Sequence, residues 1–175
     1  MKTKKHFYTA VSFSLLILAG CSTVYVPAPG IPNVKEIPDF PAGLKVSLVN
    51  NQPNMEKVVL VEGGGNTYYA NLHDWTDRLN QSLKETLKKK RVEVAEGAPR
   101  VLKVSMEKAV VVLKSGGLNP RCTVDWKVEL GDGTVLPMTL ETGHWKVEDA
   151  SNVAVRLACR DTLRNERVRN YIGAP

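Results

Sequence analysis

"CTVDWKVEL", residues 122–130, alternates without a break: Cys122, Val124, Trp126, Val128 and Leu130 fall on one face, Thr123, Asp125, Lys127 and Glu129 on the other. Successive side chains leave a strand on opposite faces, so this pattern predicts a strand with one side buried and one side wet. Gly131-Asp132-Gly133 offers a tight turn into "TVLPMTLET" (134–142), where Leu136, Met138 and Leu140 again share a face. Pro137 has no amide hydrogen for a ladder, which puts this second strand at a sheet edge.

Upstream, "RVLKVSMEKAVVVL" (100–113) also has strand character, but its phase changes. Leu102, Val104 and Met106 keep one register and Ala109, Val111 and Leu113 the other, which implies a bulge or bend around Lys108. "RVEV" (91–94) is a shorter strand. "LKVSLV" (44–49) and "KVVLVE" (57–62) read as two more, separated by the turn-forming Asn50-Asn51-Gln52-Pro53-Asn54 and so resembling a hairpin.

Two segments change to a period near 3.6. In "NLHDWTDRLNQSLKETLKKK" (71–90), Leu72, Trp75, Leu79, Leu83 and Leu87 form one apolar stripe, and Asn71 can cap the start. The pairs Asp74/Arg78 and Glu85/Lys89 stand four apart in the favoured order. Lys88-Lys89-Lys90-Arg91 complements the helix dipole at the carboxyl end; this is a solvated terminus or, alternatively, a patch for anionic lipid. The last helix starts near Asp149 or Ala150. Ser151, Ala154, Val155, Ala158, Cys159, Thr162 and Leu163 line one face, and Arg156, Arg160 and Arg164 the other. These elements predict an α+β fold, an antiparallel or mixed sheet with two amphipathic helices packed on one face, in a single domain over residues 44–175. There is no internal repeat.

The beginning of the chain has a different grammar. Lys2, Lys4 and Lys5 precede an apolar run from Phe7 to Leu18 that is diluted by Thr9, Ser12 and Ser14, the layout of a signal peptide over residues 1–20. The run is short of the roughly 20 apolar residues that a membrane-spanning helix needs. It ends in Leu18-Ala19-Gly20-Cys21, which resembles the bacterial lipobox, where the cysteine is lipidated before cleavage and becomes the first residue. The resemblance makes Cys21 a lipidation site and a bacterial envelope location the expectation, facing the periplasm. The resemblance also implies the outer membrane, because Ser22 and not aspartate follows the cysteine.

Residues 22–43, "STVYVPAPGIPNVKEIPDFPAG", carry prolines at 27, 29, 32, 38 and 41. Such density disfavours helix and sheet, and reads as a tether of lipidated cysteine plus extended chain over residues 21–43. At ~3.1 Å per residue it could hold a domain up to about 60 Å from the membrane. The other reading packs Val24, Tyr25, Val26, Ile31 and Phe40 along the domain or a partner.

Residues 1–20 hold three lysines and no acid, so the formal charge falls from +6 to +3 once they are removed. That charge and the export signal argue against nucleic acid as a partner. Chemistry-bearing motifs are sparse. Gly63-Gly64-Gly65 lacks the lysine and hydroxyl residue of a phosphate loop. His73 and Asp77 stand four apart on a helix, without the further ligands of a tight metal site. No HExxH, GxSxG or paired-carboxylate motif stands out, so neither cofactor nor metal nor catalytic residue is expected. Cys122 and Cys159 fall on faces read as core; a disulfide between them is geometrically feasible, and the alternative is two buried thiols.

Taken in order, the lipobox, the proline-rich segment, a strand, the helix "WTDRLNQSLKETL", a run of strands and a last helix ending "LRNERVRNYI" resemble the ABC-type transport auxiliary lipoproteins and related envelope lipoproteins. The resemblance covers Leu44 to about Ile172 and implies a fold similar to the amino-terminal domain of TolB. It carries no functional residue over, and the apparent hairpin before the first helix departs from the plainest form of that layout. It implies a non-catalytic periplasmic adaptor of a transport or cell-wall machine, attached to the membrane through Cys21 and bound to an envelope protein. The alternative is a carrier enclosing a lipid or another apolar ligand.

Overall fold

The computed structural model describes residues 22–63, 66–113 and 119–173. Among these residues eight strands and three α-helices follow in the order β1 (Ser22–Val24), β2 (Lys45–Asn50), β3 (Lys57–Gly63), β4 (Asn66–Asn71), α1 (Leu72–Lys89), β5 (Glu93–Val94), β6 (Arg100–Val112), β7 (Arg121–Leu130), β8 (Val135–Gly143), α2 (Val147–Arg164) and α3 (Glu166–Ile172), with a single 3-10 turn at Val34–Glu36 between β1 and β2. One mixed sheet has the order β5-β2-β6-β7-β8, and a smaller one the order β1-β4-β3. This is the α+β class expected.

β7 is the axis of the large sheet, and its alternation is expressed in full. Leu102, Val104, Met106, Ala109 and Val111 of β6 stand opposite Leu130, Val128, Trp126, Val124 and Cys122 of β7. All ten are buried. The phase change in β6 is a bulge between Met106 and Lys108, which steps over Glu107 and returns Ala109 and Val111 to the inner face. The other face is held by ion pairs: Lys103–Glu129 at 2.6 Å, Lys127–Glu107 at 3.1 Å, and Arg121 with Glu141. β8, with Pro137, lies at the edge as predicted.

Helices α1 and α2 cover the inner face. Asn71 caps α1 by accepting from the amides of His73 and Asp74, and the stripe Leu72, Trp75, Leu79, Leu83 and Leu87 is buried. Ala150, Ser151, Ala154, Val155, Ala158, Cys159, Thr162 and Leu163 form the buried side of α2. The small residues let α2 approach its neighbours closely. Trp126 is fixed from above, its indole N–H donating to Thr162 Oγ1 at 3.0 Å.

Two details differ from the sequence reading. β2 does not pair with β3: it lies parallel to β6, and β3 instead forms a hairpin with β4 in the small sheet. The last helix breaks at Asn165, whose side chain accepts from the Arg167 and Val168 amides and starts α3. A side chain able to cap is enough to end one helix and begin another without a proline.

Candidate functional site

The segment expected to leave the domain is laid across it. β1 runs parallel to β4 with Ser22, Thr23 and Val24 opposite Thr67, Tyr68 and Tyr69, and the Tyr25 amide continues the ladder to Tyr69 O at 2.8 Å. Tyr25 then joins the first turns of both long helices. Its carbonyl accepts from Trp75 Nε1 at 3.1 Å, and its hydroxyl lies 3.1 Å from Glu148 O and 2.8 Å from Asn152 Oδ1. The Ala28 amide donates to the same Asn152 oxygen at 2.7 Å, and the Gly30 amide to Ser82 Oγ at 3.0 Å. Lower down, Lys90 reaches Asp39 at 2.7 Å and Arg160 lies 3.8 Å from Glu36.

The tether reading is thereby corrected: residues 22–43 form a strap over the outer side of α1 and α2. Its prolines have no amide hydrogens to satisfy, so the chain can lie on side chains instead of in a sheet. Pro27, Pro32 and Ile37 are buried under it. Gly30 allows the closest approach, since a Cβ there would stand 2.9 Å from Arg156 Cβ.

Burial and nearby acids raise the Tyr25 phenol to about 12, the burial being the larger cause and Glu148 and Asp149 the lesser. At Asp39 the hydrogen bond and charge of Lys90 lower the carboxyl. So the basic end of α1 includes a lysine that pins the strap.

Cys21, the expected lipidation site, lies outside the described residues, as does the expected signal peptide. Cys122 and Cys159 are inside, as buried free thiols, the second of the two readings that the sequence left open. Cys122 sits beside Ser151, whereas Cys159 lies 3.5 Å from Thr86 Oγ1. Eight residues of α2, about 12 Å of helix, separate Ser151 from Cys159, and a disulfide needs Cα atoms within about 7 Å. The Thr86 hydroxyl donates to Ser82 O, which leaves it as acceptor for the Cys159 thiol hydrogen. Burial pushes both thiols up to about 12, the reverse of what a nucleophile needs.

His73 stays structural in its contacts: Nδ1 lies 2.7 Å from Gln52 O, and Nε2 is 3.7 Å from Asp77. Among the described residues no group of three His, Cys, Asp or Glu side chains is placed to hold a metal. None of their helices is long and apolar enough to cross a membrane.

Two clefts among the described residues are open and mainly polar. One of about 670 Å³ lies between β2 and α1, lined by Asn50, Asn80, Gln81, Lys84, Glu85 and Glu96 among others. Another, about 490 Å³, lies between the start of β7 and the end of β8, against Arg121, Glu141, His144 and Trp145. Between the helices and the sheet, Trp75, Leu79, Leu83, Met106 and Trp126 fill the interior. Sequence reasoning gave Tyr25 only as one of the residues of the packed alternative, and passed over Asn152 and Trp145. The first two meet only through folding; Trp145 could have been noticed as a large aromatic in a polar turn outside every periodic face.

No family model and no curated protein matches the chain. Among solved structures, a Xanthomonas campestris protein of the family DUF330 aligns at a TM-score of 0.50 and 16% identity, covering 80% of this chain and 91% of its own. A minor lipoprotein from Acinetobacter baumannii aligns at 0.45 and 16%, covering 74% and 96%. The similarity to the first is one of fold.

Proposed function

We propose that the chain is a non-catalytic bacterial envelope lipoprotein, anchored through Cys21 and serving as an accessory subunit of a transport or cell-wall machine on the periplasmic side of the outer membrane. The observation that carries the reading is the run Leu18-Ala19-Gly20-Cys21, which stops one residue short of the first strand of the folded domain. Two or more acyl chains, at roughly 0.8 kcal/mol per buried methylene, hold a protein stably on a bilayer, and one does not. The likeness in fold to the DUF330 protein agrees with this reading, as does the sequence resemblance to transport auxiliary lipoproteins.

An adaptor is favoured over a carrier because the space between helices and sheet is filled by side chains, while the two clefts are open and mainly polar. Three measurements test the proposal. Intact mass of membrane-extracted protein should carry acyl groups, and Cys21→Ala should lose both that mass and membrane retention. Crosslinking in cells should capture an envelope protein. Stoichiometric co-purified lipid inside the soluble domain would replace the adaptor with the carrier.

A further inference from the structure

The strap removes the spacer that a lipid anchor would ordinarily use. Ser22 is already in β1, paired with Thr67, and consecutive Cα atoms are 3.80 Å apart. Resting on the reading of Cys21 as lipidated, we propose that the domain sits directly on the phospholipid surface, through the end that carries β1, the β3–β4 hairpin and the turn before α2.

Register places Ser22, the residue that follows Cys21 in the chain, in the molecule. Ser22 is level with Thr67, one residue after the start of β4, and across the hairpin Thr67 pairs with Glu62. The chain therefore enters beside the Gly63/Asn66 end of that hairpin and then descends over the helices toward Lys90. Apolar side chains are exposed within a few residues of this entry. Val24, Tyr69 and Val59 stand in one row across the small sheet, with Val24 40% and Val59 49% exposed. Trp145 is 73% exposed, three residues before Glu148, whose carbonyl accepts from Tyr25. Val112, 56% exposed, is one ladder position beyond the Val111–Cys122 pair.

A large exposed aromatic is unusual on a soluble surface, but an indole suits the boundary between headgroups and acyl chains, where its body is apolar and its N–H can stay wet. The patch needs little affinity of its own. Once the acyl chains are inserted, contact between it and the bilayer is an intramolecular step at high effective concentration.

Trp75 and Trp126 are fully buried, so Trp145 is the tryptophan that a lipid quencher can reach. Full-length acylated protein, its acyl mass verified, is reconstituted into phosphatidylethanolamine/phosphatidylglycerol vesicles containing lipid brominated near the headgroup end of the acyl chain. Emission should fall relative to unbrominated vesicles, and the fall should vanish in Trp145→Phe. Adding Glu96→Trp to that variant, in the turn after β5 at the other end of the sheet, should not restore it. Unquenched Trp145 in acylated, vesicle-bound protein overturns direct seating, and so does equal quenching at position 96. If Trp145 is instead crosslinked in cells to a protein while remaining unquenched by lipid, the patch belongs to a protein partner and the seating is wrong. Absence of acyl mass overturns the anchoring itself and the seating with it.

Discussion

Tyr25 Oη and Asn152 Oδ1 stand 2.8 Å apart, so a residue four positions after Cys21 is bonded to the second turn of α2. The same asparagine oxygen accepts from the Ala28 amide, and the Tyr25 carbonyl accepts from Trp75 Nε1. These contacts tie the beginning of the folded chain to both long helices and make the strap part of the domain.

Tyr25→Phe should keep the fold but lower stability by about 1 kcal/mol, the net worth of an ordinary hydrogen bond. Urea unfolding at neutral pH measures it. The phenol titrates near 10 when unfolded and about 12 in the fold. A raised folded value means its contribution is complete below pH 10 and fades as pH climbs toward 12. The gap between wild type and Tyr25→Phe should therefore narrow over that window; a gap that widens would contradict the burial of the hydroxyl.

Ile37 is 2% exposed and belongs to the main core although it lies in the proline-rich segment. Ile37→Ala should cost ~2–5 kcal/mol, as for other buried isoleucines. Deleting residues 28–38 should destabilise the domain in thermal and proteolytic assays. If that deletion left the melting temperature unchanged, the strap would be a bystander.

The elements that could be read from sequence are those where burial is periodic. β7 shows its two faces at every position from Cys122 to Leu130, and the α1 stripe repeats every three or four residues. Even the bulge at Glu107 left a mark, as a phase change on either side of it. The strap left no helix or strand period, because its buried Pro27, Pro32 and Ile37 stand five residues apart, a spacing that belongs to neither element, and the helices it lies on are far away in the chain. The β3–β4 hairpin was missed for a related reason: its register slips between Val59 and Val61, so the alternation in "KVVLVE" is broken and its partner "NTYYAN" has no clear apolar phase. At the beginning of the chain, the resemblance of Leu18-Ala19-Gly20-Cys21 to a lipobox was legible as a local motif. The neighbouring row, exposed Val24 and Val59 on either side of half-buried Tyr69, exists only once three strands are aligned.

Both cysteines should react with a thiol reagent after unfolding in non-reducing buffer and resist it when native. A raised pKa in the fold, from about 9 to about 12, gives the sign of the pH effect. Stability from keeping the thiols neutral is complete below pH 9 and is lost as pH rises toward 12. Replacing both by alanine should flatten the fall in urea midpoint over that range. A thiol count of zero in the unfolded, non-reduced protein would mean that the pair is oxidised and the packing around Ser151 and Thr86 different.

The last prediction concerns the place where β6 outruns its partner. β2 ends at Asn50, opposite Val104, and the Asn51 amide makes the last bond of that edge to Val104 O at 2.7 Å. Two positions on, the Met106 amide would be buried without an acceptor. Thr76 Oγ1 supplies one at 2.9 Å while donating its own hydrogen to Leu72 O, and Gln52 Nε2 donates to the Met106 carbonyl. A helix side chain thus completes a strand next to the bulge. Thr76→Val keeps the shape but removes the acceptor, and a buried donor left unpaired costs about 1–3 kcal/mol. Thr76→Ser, which keeps the oxygen, should lose less. Hydrogen exchange localises the effect: the Met106 amide should exchange faster in Thr76→Val, while Val124 and Val128 in β7 change only by the global loss of stability. Equal acceleration across β6 and β7, with no excess at Met106, would show that Thr76 acts through packing alone.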